Sequence, residues 1–174
     1  LSFYRKKDYV EVKLASKKIL QCKLVIGADG KNSLIRKLAD IGFNKKSYNQ
    51  KAFIFNIKHE KKHNNLAVEN FLEQGPLAAL PIIKNKNEYF SSIVWSCNKP
   101  YYHKILGIQK KEINTLLNDH LSSFYGKINI VSKIKSWDLY LVKSNRYIDH
   151  RLLLLGDAAH SIHPLAGQGF NLTL

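Results

Sequence analysis

The sequence is poor in the features that would assign a protein class at once. It has no Met and only two Cys in 174 residues. No apolar run approaches the ~20 residues that a membrane-spanning helix needs, and no signal peptide is visible. Cys22 and Cys97 belong to no CxxC pair, so we interpret them as reduced thiols and not as part of a disulfide or zinc framework. Because Met is absent even at position 1, we expect an internal piece of a longer protein.

Several motifs that carry chemistry are also missing. The sequence contains no Walker motif, no GxGxxG fingerprint, and no GxSxG elbow around Ser161. His59 and His63 have the i, i+4 spacing of zinc ligands, but the string is not HExxH and three lysines surround the pair. We therefore predict no metal site and assign no catalytic nucleophile.

Acidic residues are scarce, with 13 against 28 basic residues and a net charge of +15. Such an excess can favour nucleic acid or an anionic membrane surface. The lysines are scattered, and the chain is rich in Lys, Asn and Ile together, as AT-rich coding tends to give. We predict no nucleic-acid partner, and weak attraction to an anionic membrane surface stays open.

What the sequence does have is an apolar run, Leu152–Leu155, that ends in Gly156-Asp157. Four leucines without polar alternation are typical of a strand buried on both faces of a parallel sheet. In open α/β sheets, ligands bind at the carboxyl ends of the strands. Downstream glycines at 167 and 169 let the backbone approach a ligand, and the apolar residues after Gly169 predict the start of a helix.

A second strand with the same ending lies near the start of the chain. Residues 8–27 predict a hairpin with its turn at 15–18 and a return strand over 19–26. This strand leads into Gly27-Ala28-Asp29-Gly30. We expect Ser33 to cap a short helix that Gly42 ends.

The central part of the chain has a different pattern. Short alternating runs predict an antiparallel sheet, and apolar residues at helical spacing predict a helix over 109–126 that ends at Gly126. The predicted strands are Ala52–Ile57, Leu66–Leu72, Leu77–Ile83, Tyr89–Cys97, Ile128–Ile134 and Trp137–Val142, with a turn at Lys84–Asn87. We expect Trp95 to lie in the core and His120 to be a partly buried imidazole.

Two strings together resemble a known family. GADGKNSLIR (27–36) and GDAAHSIHPLAGQGFN (156–171) look like two motifs of the FAD-dependent aromatic monooxygenases, closest to the ubiquinone-biosynthesis hydroxylases. The resemblance implies an α/β, doubly wound FAD/NAD(P)-binding fold, present in part, with an inserted antiparallel-sheet substrate domain. It divides the chain into FAD-binding segments at 1–44 and 145–174 and a substrate domain at 45–144. The family's GxGxxG unit would precede this chain, so we expect the piece alone to be inactive.

The resemblance also implies a cofactor site. In the family, the aspartate at position 29 lies near the FAD pyrophosphate and is linked to NAD(P)H binding, whereas Asp157 should bind ribityl or ribose hydroxyls. Two roles are open for Arg36. It could place a charge beside the diphosphate, or it could anchor the loop to a carboxylate. The cofactor-binding residues so implied are Asp29, Gly30, Ser33, Arg36, Gly156, Asp157, Pro164, Gly167, Gln168, Gly169 and Asn171.

A substrate pocket is implied more weakly. The segment Gly75–Pro81 resembles a strand near the family's substrate pocket, and it equally fits plain core. The residues predicted to line the pocket are Leu77, Ala79, Pro81 and Leu165. No catalytic acid or base is assigned.

The function implied is hydroxylation of an aromatic ring of a lipophilic quinone precursor in ubiquinone biosynthesis, using FAD, NAD(P)H and O2. We expect a cytoplasmic protein, and peripheral association with the inner membrane or with a biosynthetic complex stays open. The alternatives are another FAD-dependent oxidoreductase, such as a phenol hydroxylase or prenyl reductase, and a basic non-catalytic module for RNA or membrane. A flavin halogenase is disfavoured because the WxWxIP signature is absent and Trp95 and Trp137 stand alone.

Overall fold

The computed structural model describes residues 1–85 and 88–172. In these ranges the chain forms thirteen strands and four α-helices. The strands are β1 (Ser2–Arg5), β2 (Val10–Lys13), β3 (Ile19–Cys22), β4 (Val25–Gly27), β5 (Phe43–His59), β6 (Val68–Leu72), β7 (Gly75–Asn85), β8 (Glu88–Asn98), β9 (Ile128–Ile130), β10 (Lys135–Ser144), β11 (Ile148–Asp149), β12 (Leu152–Leu154) and β13 (His160–Ser161). The helices are α1 (Leu34–Leu38), α2 (Lys99–Gly107), α3 (Lys110–Tyr125) and α4 (Gln168–Asn171).

The chain divides into two compact units. The first joins Leu1–Tyr48 to Tyr140–Leu174, and the second is Asn49–Leu139. This division lies close to the boundaries expected at 44/45 and 144/145, while the roles assigned to the segments stay predictions. No helix in the described part of the chain is both long and apolar enough to cross a membrane.

In the first unit, β1, β2 and β3 form an antiparallel sheet in which Val10 pairs with Cys22. The prediction of one return strand over 19–26 is wrong, because the chain leaves this sheet after Cys22 and begins β4 in another. The change of partner starts where the Val25 N–H donates to the Arg151 carbonyl oxygen at 3.0 Å. The Arg151 guanidinium also binds the Lys23 carbonyl at 3.1 Å, which fixes the bend between β3 and β4.

The second sheet of this unit has the order β11-β12-β4, and β12 and β4 are parallel. The predicted parallel strand is therefore present. Leu152 and Leu154 are buried, at 1% exposure each, in a core with Ile35. The prediction that this strand is buried on both faces is confirmed for one face only, because Leu153 is partly exposed and Ile26 of the neighbouring strand is 52% exposed.

Helix α1 begins at the predicted cap but ends earlier than expected. The Ser33 hydroxyl accepts the Arg36 N–H at 2.9 Å. The prediction that Gly42 ends the helix is wrong, because Asp40 already adopts the left-handed conformation, with φ 52°. An aspartate tolerates this conformation better than most residues, and the turn lets Ile41 fold back into the core at 4% exposure.

The second unit is an antiparallel sheet with helices over one face. Its strand order is β10-β5-β8-β7-β6, and β9 pairs with β5. Along β5, Phe53, Phe55 and Ile57 are buried while Ile54 and Asn56 are exposed, the alternation expected for a sheet covered on one side. The buried face shares a core with Ile113, Leu117 and Leu121 of α3.

The sequence located most of these elements. Helix α3 is confirmed, with Gly126 at its C-cap and Glu112 accepting the Gln109 N–H at 2.8 Å as in a capping box. Trp95 is fully buried and His120 partly buried, as predicted. Helix α2 was missed, because only Ile105 of its nine residues is buried and no apolar stripe marks it. Strand β9 is shorter than expected, and the predicted turn at 84–87 lies partly outside the described residues.

Candidate functional site

Two loops of the first unit leave the same edge of one sheet. Strands β4 and β12 are parallel, with Gly27 opposite Leu154, and the Leu155 N–H donates to the Gly27 carbonyl oxygen at 2.9 Å. Parallel strands have their carboxyl ends on one side, so the segments containing Asp29 and Asp157 begin side by side. The two motifs are 122 residues apart between Arg36 and Ala158, yet they share this edge.

The Asp29 carboxylate shapes its own loop. It accepts the Ser33 hydroxyl at 2.5 Å and the N–H groups of Leu34 and Ile35 at 2.7 and 3.1 Å. Burial alone would raise the pKa of Asp29, but the Ser33 hydroxyl and the backbone N–H groups outweigh it and lower the pKa below its ordinary value. Asp29 is therefore ionised and caps α1, and a direct contact with a cofactor stays a prediction.

Arg36 joins the two loops. Its side chain is buried, with the residue 3% exposed. Nη1 donates to the Ala158 carbonyl oxygen at 2.9 Å and Nη2 to the Lys31 carbonyl oxygen at 2.7 Å. The Phe43 ring centroid lies 4.3 Å from the guanidinium carbon. The sequence left two hypotheses for Arg36, a charge beside the diphosphate and an anchor of the loop. This geometry favours the anchor, with carbonyl oxygens as its partners in place of the expected carboxylate.

The Asp157 loop presents a carboxylate at the surface of the first unit. A short 3-10 turn, Gly156–Ala158, follows β12, and Gly156 adopts φ 57°. Ala158 and Ala159 are buried, whereas Asp157 is exposed. An exposed carboxylate can accept hydrogen bonds from several neutral hydroxyls.

The segment that follows leaves open space beside its glycines. Pro164 is exposed, a 3-10 turn spans Leu165–Gly167, and α4 begins at Gln168, two residues before the start expected after Gly169. Gly167 adopts φ 65°, which favours glycine. A Cβ placed on Gly30, Gly167 or Gly169 would meet no atom of the described chain within 4 Å. The loops therefore leave room for a ligand to lie close to the backbone.

Sequence reasoning missed Ser144 and noted His160 only as part of the second motif. Ser144 is buried, and its hydroxyl donates to the Ala158 carbonyl oxygen at 3.2 Å while its N–H donates to Ala159 at 2.9 Å. His160 lies with its ring 5.6 Å from that of Tyr147, and its Nε2 is buried without a hydrogen-bond partner in the described chain. No motif marks Ser144, because its role depends on a strand pairing.

The residues predicted to line a substrate pocket differ in burial. Leu77 and Ala79 are at 0% exposure in the core of the second unit. Pro81 of the same strand and Leu165 of the first unit are half-buried. Side chains with no exposed surface cannot contact a ligand. The structure therefore favours the alternative in which Leu77 and Ala79 only pack in the hydrophobic core.

His59 and His63 do not form a metal pair. His59 Nδ1 lies 2.8 Å from the Lys61 carbonyl oxygen, and Nε2 lies 3.1 Å from the Ser91 hydroxyl. Burial lowers the pKa of His59. Within residues 1–85 and 88–172, no group of three His, Cys, Asp or Glu side chains is placed to hold a metal ion.

The geometry defines a class of protein. A parallel strand pair with a carboxylate and glycine-bearing loops at its carboxyl edge is the arrangement of a dinucleotide-binding α/β domain. The open space beside Gly30, Gly167 and Gly169 and the exposed Asp157 fit such a ligand. Residues 4–174 match the family described as FAD binding domain. The chain belongs to this family, and its predicted fold and cofactor, FAD, are confirmed.

Similar proteins agree with this assignment. The chain is 38% identical over 164 residues to ubiquinone hydroxylase UbiL of Rhodospirillum rubrum, covering 94% of this chain and 37% of that protein. It is 31% identical over 172 residues to the 3-demethoxyubiquinol 3-hydroxylase of Escherichia coli, covering 99% of this chain and 43% of that protein. The chain thus spans about two fifths of these curated relatives.

A solved structure shows the same fold. It is described as PqsL, a probable FAD-dependent monooxygenase from Pseudomonas aeruginosa. The match has a TM-score of 0.74 at 21% identity and covers 99% of this chain and 49% of that one.

Proposed function

We propose that the whole protein is an FAD-dependent monooxygenase that hydroxylates an aromatic ring of a lipophilic quinone precursor, with NAD(P)H and O2 as co-substrates. The observation that carries this proposal is the shared sheet edge, where Arg36 joins the Asp29 loop to the Asp157 loop. The names of the similar ubiquinone hydroxylases support the substrate class.

When bound, FAD supplies the electron transfer from NAD(P)H and the reaction with O2. The protein's part is to place and polarise the cofactor. Asp157 would accept hydrogen bonds from ribityl or ribose hydroxyls, and Arg36 and Ser144 would hold the Ala158 carbonyl so that this carboxylate is correctly placed. Backbone N–H groups of 167–169 would face the pyrimidine edge of the ring and stabilise negative charge there. Pro164 and Leu165 would border the reacting face.

The second unit supports a lipophilic substrate. Opposite its buried face, the sheet has an apolar row in which Ile54 pairs with Val94 and Val94 with Ala78. Ile54 is 36% exposed and neighbouring Leu80 is 42% exposed. We propose this outward face, and not the side chains of Leu77 and Ala79, as the substrate-facing part of β7. Burying such a row against an apolar ligand is favourable at about 25 cal/mol per Å².

The experiment is turnover by the full-length protein. Purified protein should be yellow, and NAD(P)H oxidation should increase with an added quinone precursor and yield a ring-hydroxylated product by mass spectrometry. Comparing NADH with NADPH fixes the electron donor. Product analysis also distinguishes a hydroxylase from another FAD-dependent oxidoreductase. Colourless protein that takes up no added FAD would end the proposal.

A further inference from the structure

A shallow hollow on the second unit is lined by cations and apolar groups. Its volume is about 620 Å³. It lies between the start of α3 and the β9–β10 loop, and its lining is Lys110, Val131, Ser132, Lys133 and Ile134. Val131 is 48% exposed, and no acidic residue belongs to the lining. We call it the Lys110–Lys133 hollow.

The backbone that carries these residues is held in place. The Val131 N–H donates to the Asn56 carbonyl oxygen at 2.9 Å, and the Asn56 N–H donates to the Ser132 hydroxyl at 2.8 Å. Ile134 and Ile108 are partly buried and pack against the core of the second unit. The loop is thus fixed on β5, so the hollow needs no rearrangement to present its charges.

Lysines outnumber carboxylates in the segments around the hollow. Between residues 99 and 135 there are seven lysines and two acidic residues. Glu112, one of the two, accepts the Gln109 N–H at 2.8 Å, and Asp138, just beyond, pairs with Lys51 at 2.6 Å. Lys110 and Lys111 occupy the first turn of α3, where the helix dipole disfavours cations. Their position therefore does not stabilise the helix, which points to a role outside the fold.

We propose that the Lys110–Lys133 hollow docks the protein on an anionic phospholipid surface. Lysines at 110, 111, 133 and 135 would meet lipid phosphates, and Val131 would enter the interface between them. Exposed apolar surface ringed by lysine suits a bilayer interface, whereas single-stranded nucleic acid favours aromatic platforms, which the lining lacks. The inference rests on the proposed function, because a lipophilic substrate resides in the bilayer.

The test is co-sedimentation of the full-length protein with vesicles. Vesicles of phosphatidylcholine and phosphatidylglycerol, whose anionic headgroups give a negative surface potential, are compared with vesicles of phosphatidylcholine alone. Each lysine near an anionic surface contributes about fivefold in binding. The variant K110Q/K133Q should therefore bind the anionic vesicles about 25-fold more weakly. The matched control K13Q/K18Q removes two exposed lysines of the first unit and should bind like the parent protein.

A second measurement separates this inference from the enzymatic proposal. Turnover of a short-chain, water-soluble quinol analogue should be equal in K110Q/K133Q and parent protein, while turnover of a long-chain precursor in vesicles falls. Equal vesicle binding by the two variants, binding to neutral vesicles, or retention on polyuridylate in place of vesicles would overturn the docking surface. If the parent protein binds anionic vesicles through these lysines but turns over neither substrate, the enzymatic proposal fails and the docking surface stands.

Discussion

Replacing Arg36 by Met removes the two hydrogen bonds that join the loops of the cofactor site. Met has a similar length and fills the space without a charge. Hydrogen bonds from a charged donor contribute about 1.5–3 kcal/mol each. Part of that loss is offset because the buried guanidinium no longer has to be desolvated. The Ala158 carbonyl keeps the Ser144 hydroxyl at 3.2 Å, so among the described residues only the Lys31 carbonyl is left without a side-chain donor. We therefore expect a decrease of about 2–3 kcal/mol in the free energy of unfolding.

Without Arg36 the two loops would also lose their fixed placement relative to each other, which weakens the binding of FAD. A loss of 1.4 kcal/mol in binding free energy is a factor of ten, so the dissociation constant of FAD should increase by about tenfold or more. Urea denaturation of the flavin-free protein gives the first quantity, and titration with FAD followed by flavin fluorescence gives the second. Arg36→Lys keeps the charge but not the planar fork, and it should lie between Met and the parent protein.

The matched control is Arg146→Met in the same unit. Arg146 donates to Asp149 at 3.0 Å, but its side chain is 52% exposed, and exposed ion pairs contribute about 0–1 kcal/mol. Its loss should leave FAD affinity unchanged. If Arg36→Met is no more damaging than Arg146→Met in either measurement, Arg36 does not join the loops as described.

Three further outcomes follow from the structure. Gly27→Ala should destabilise the protein by about 1–3 kcal/mol, because a Cβ at Gly27 would lie 2.8 Å from Ile35 Cγ2 and Leu154 Cδ2. Gly107→Ala should be tolerated, since a Cβ there would meet no atom of the described chain within 4 Å. Equal thermal midpoints for the two variants would contradict this prediction. Burial lowers the pKa of His59 below its ordinary value of 6.5, so the folded protein binds this proton less readily than the unfolded chain does. The free energy of unfolding should therefore decrease as the pH falls below about 6.5. Urea midpoints at pH 8 and pH 5 measure this decrease, which His59→Gln should reduce and exposed His103→Gln should not. Burial raises the pKa of the Cys97 thiol to about 12. A thiol reagent at pH 8 should therefore label Cys22 in the folded protein and Cys97 only after unfolding. Prompt labelling of both cysteines in the folded protein would show that Cys97 is not buried.

Local patterns in the sequence were enough to predict two elements that frame the site and one helix of the second unit. The run Leu152–Leu155 ending in Gly156-Asp157 located a parallel strand, and Ser33 located a helix start, because each signal depends on neighbouring residues alone. The spacing of Ile113, Leu117 and Leu121 located α3 for the same reason.

Features that depend on distant partners could not be predicted in this way. Arg36 could be assigned to a diphosphate or to a loop, and only the fold places Ala158 within 2.9 Å of its Nη1. Ser144 carries no motif, and its role comes from the pairing of β10 with β13. The end of α1 was misplaced because Asp40 adopts a left-handed conformation that sequence rules assign first to glycine. Whether the side chains of Leu77 and Ala79 face the core depends on the register of the strand, because a shift of one residue exchanges its two faces.

The most direct test of one shared cofactor site is FAD binding by Asp157→Ala in the full-length protein. A carboxylate that accepts hydroxyl groups contributes about 1.5–3 kcal/mol, so the dissociation constant should rise about 10- to 100-fold, while exposed Asp119→Ala on α3 should bind FAD like the parent. Unchanged FAD affinity in Asp157→Ala, measured on folded protein, would contradict the account.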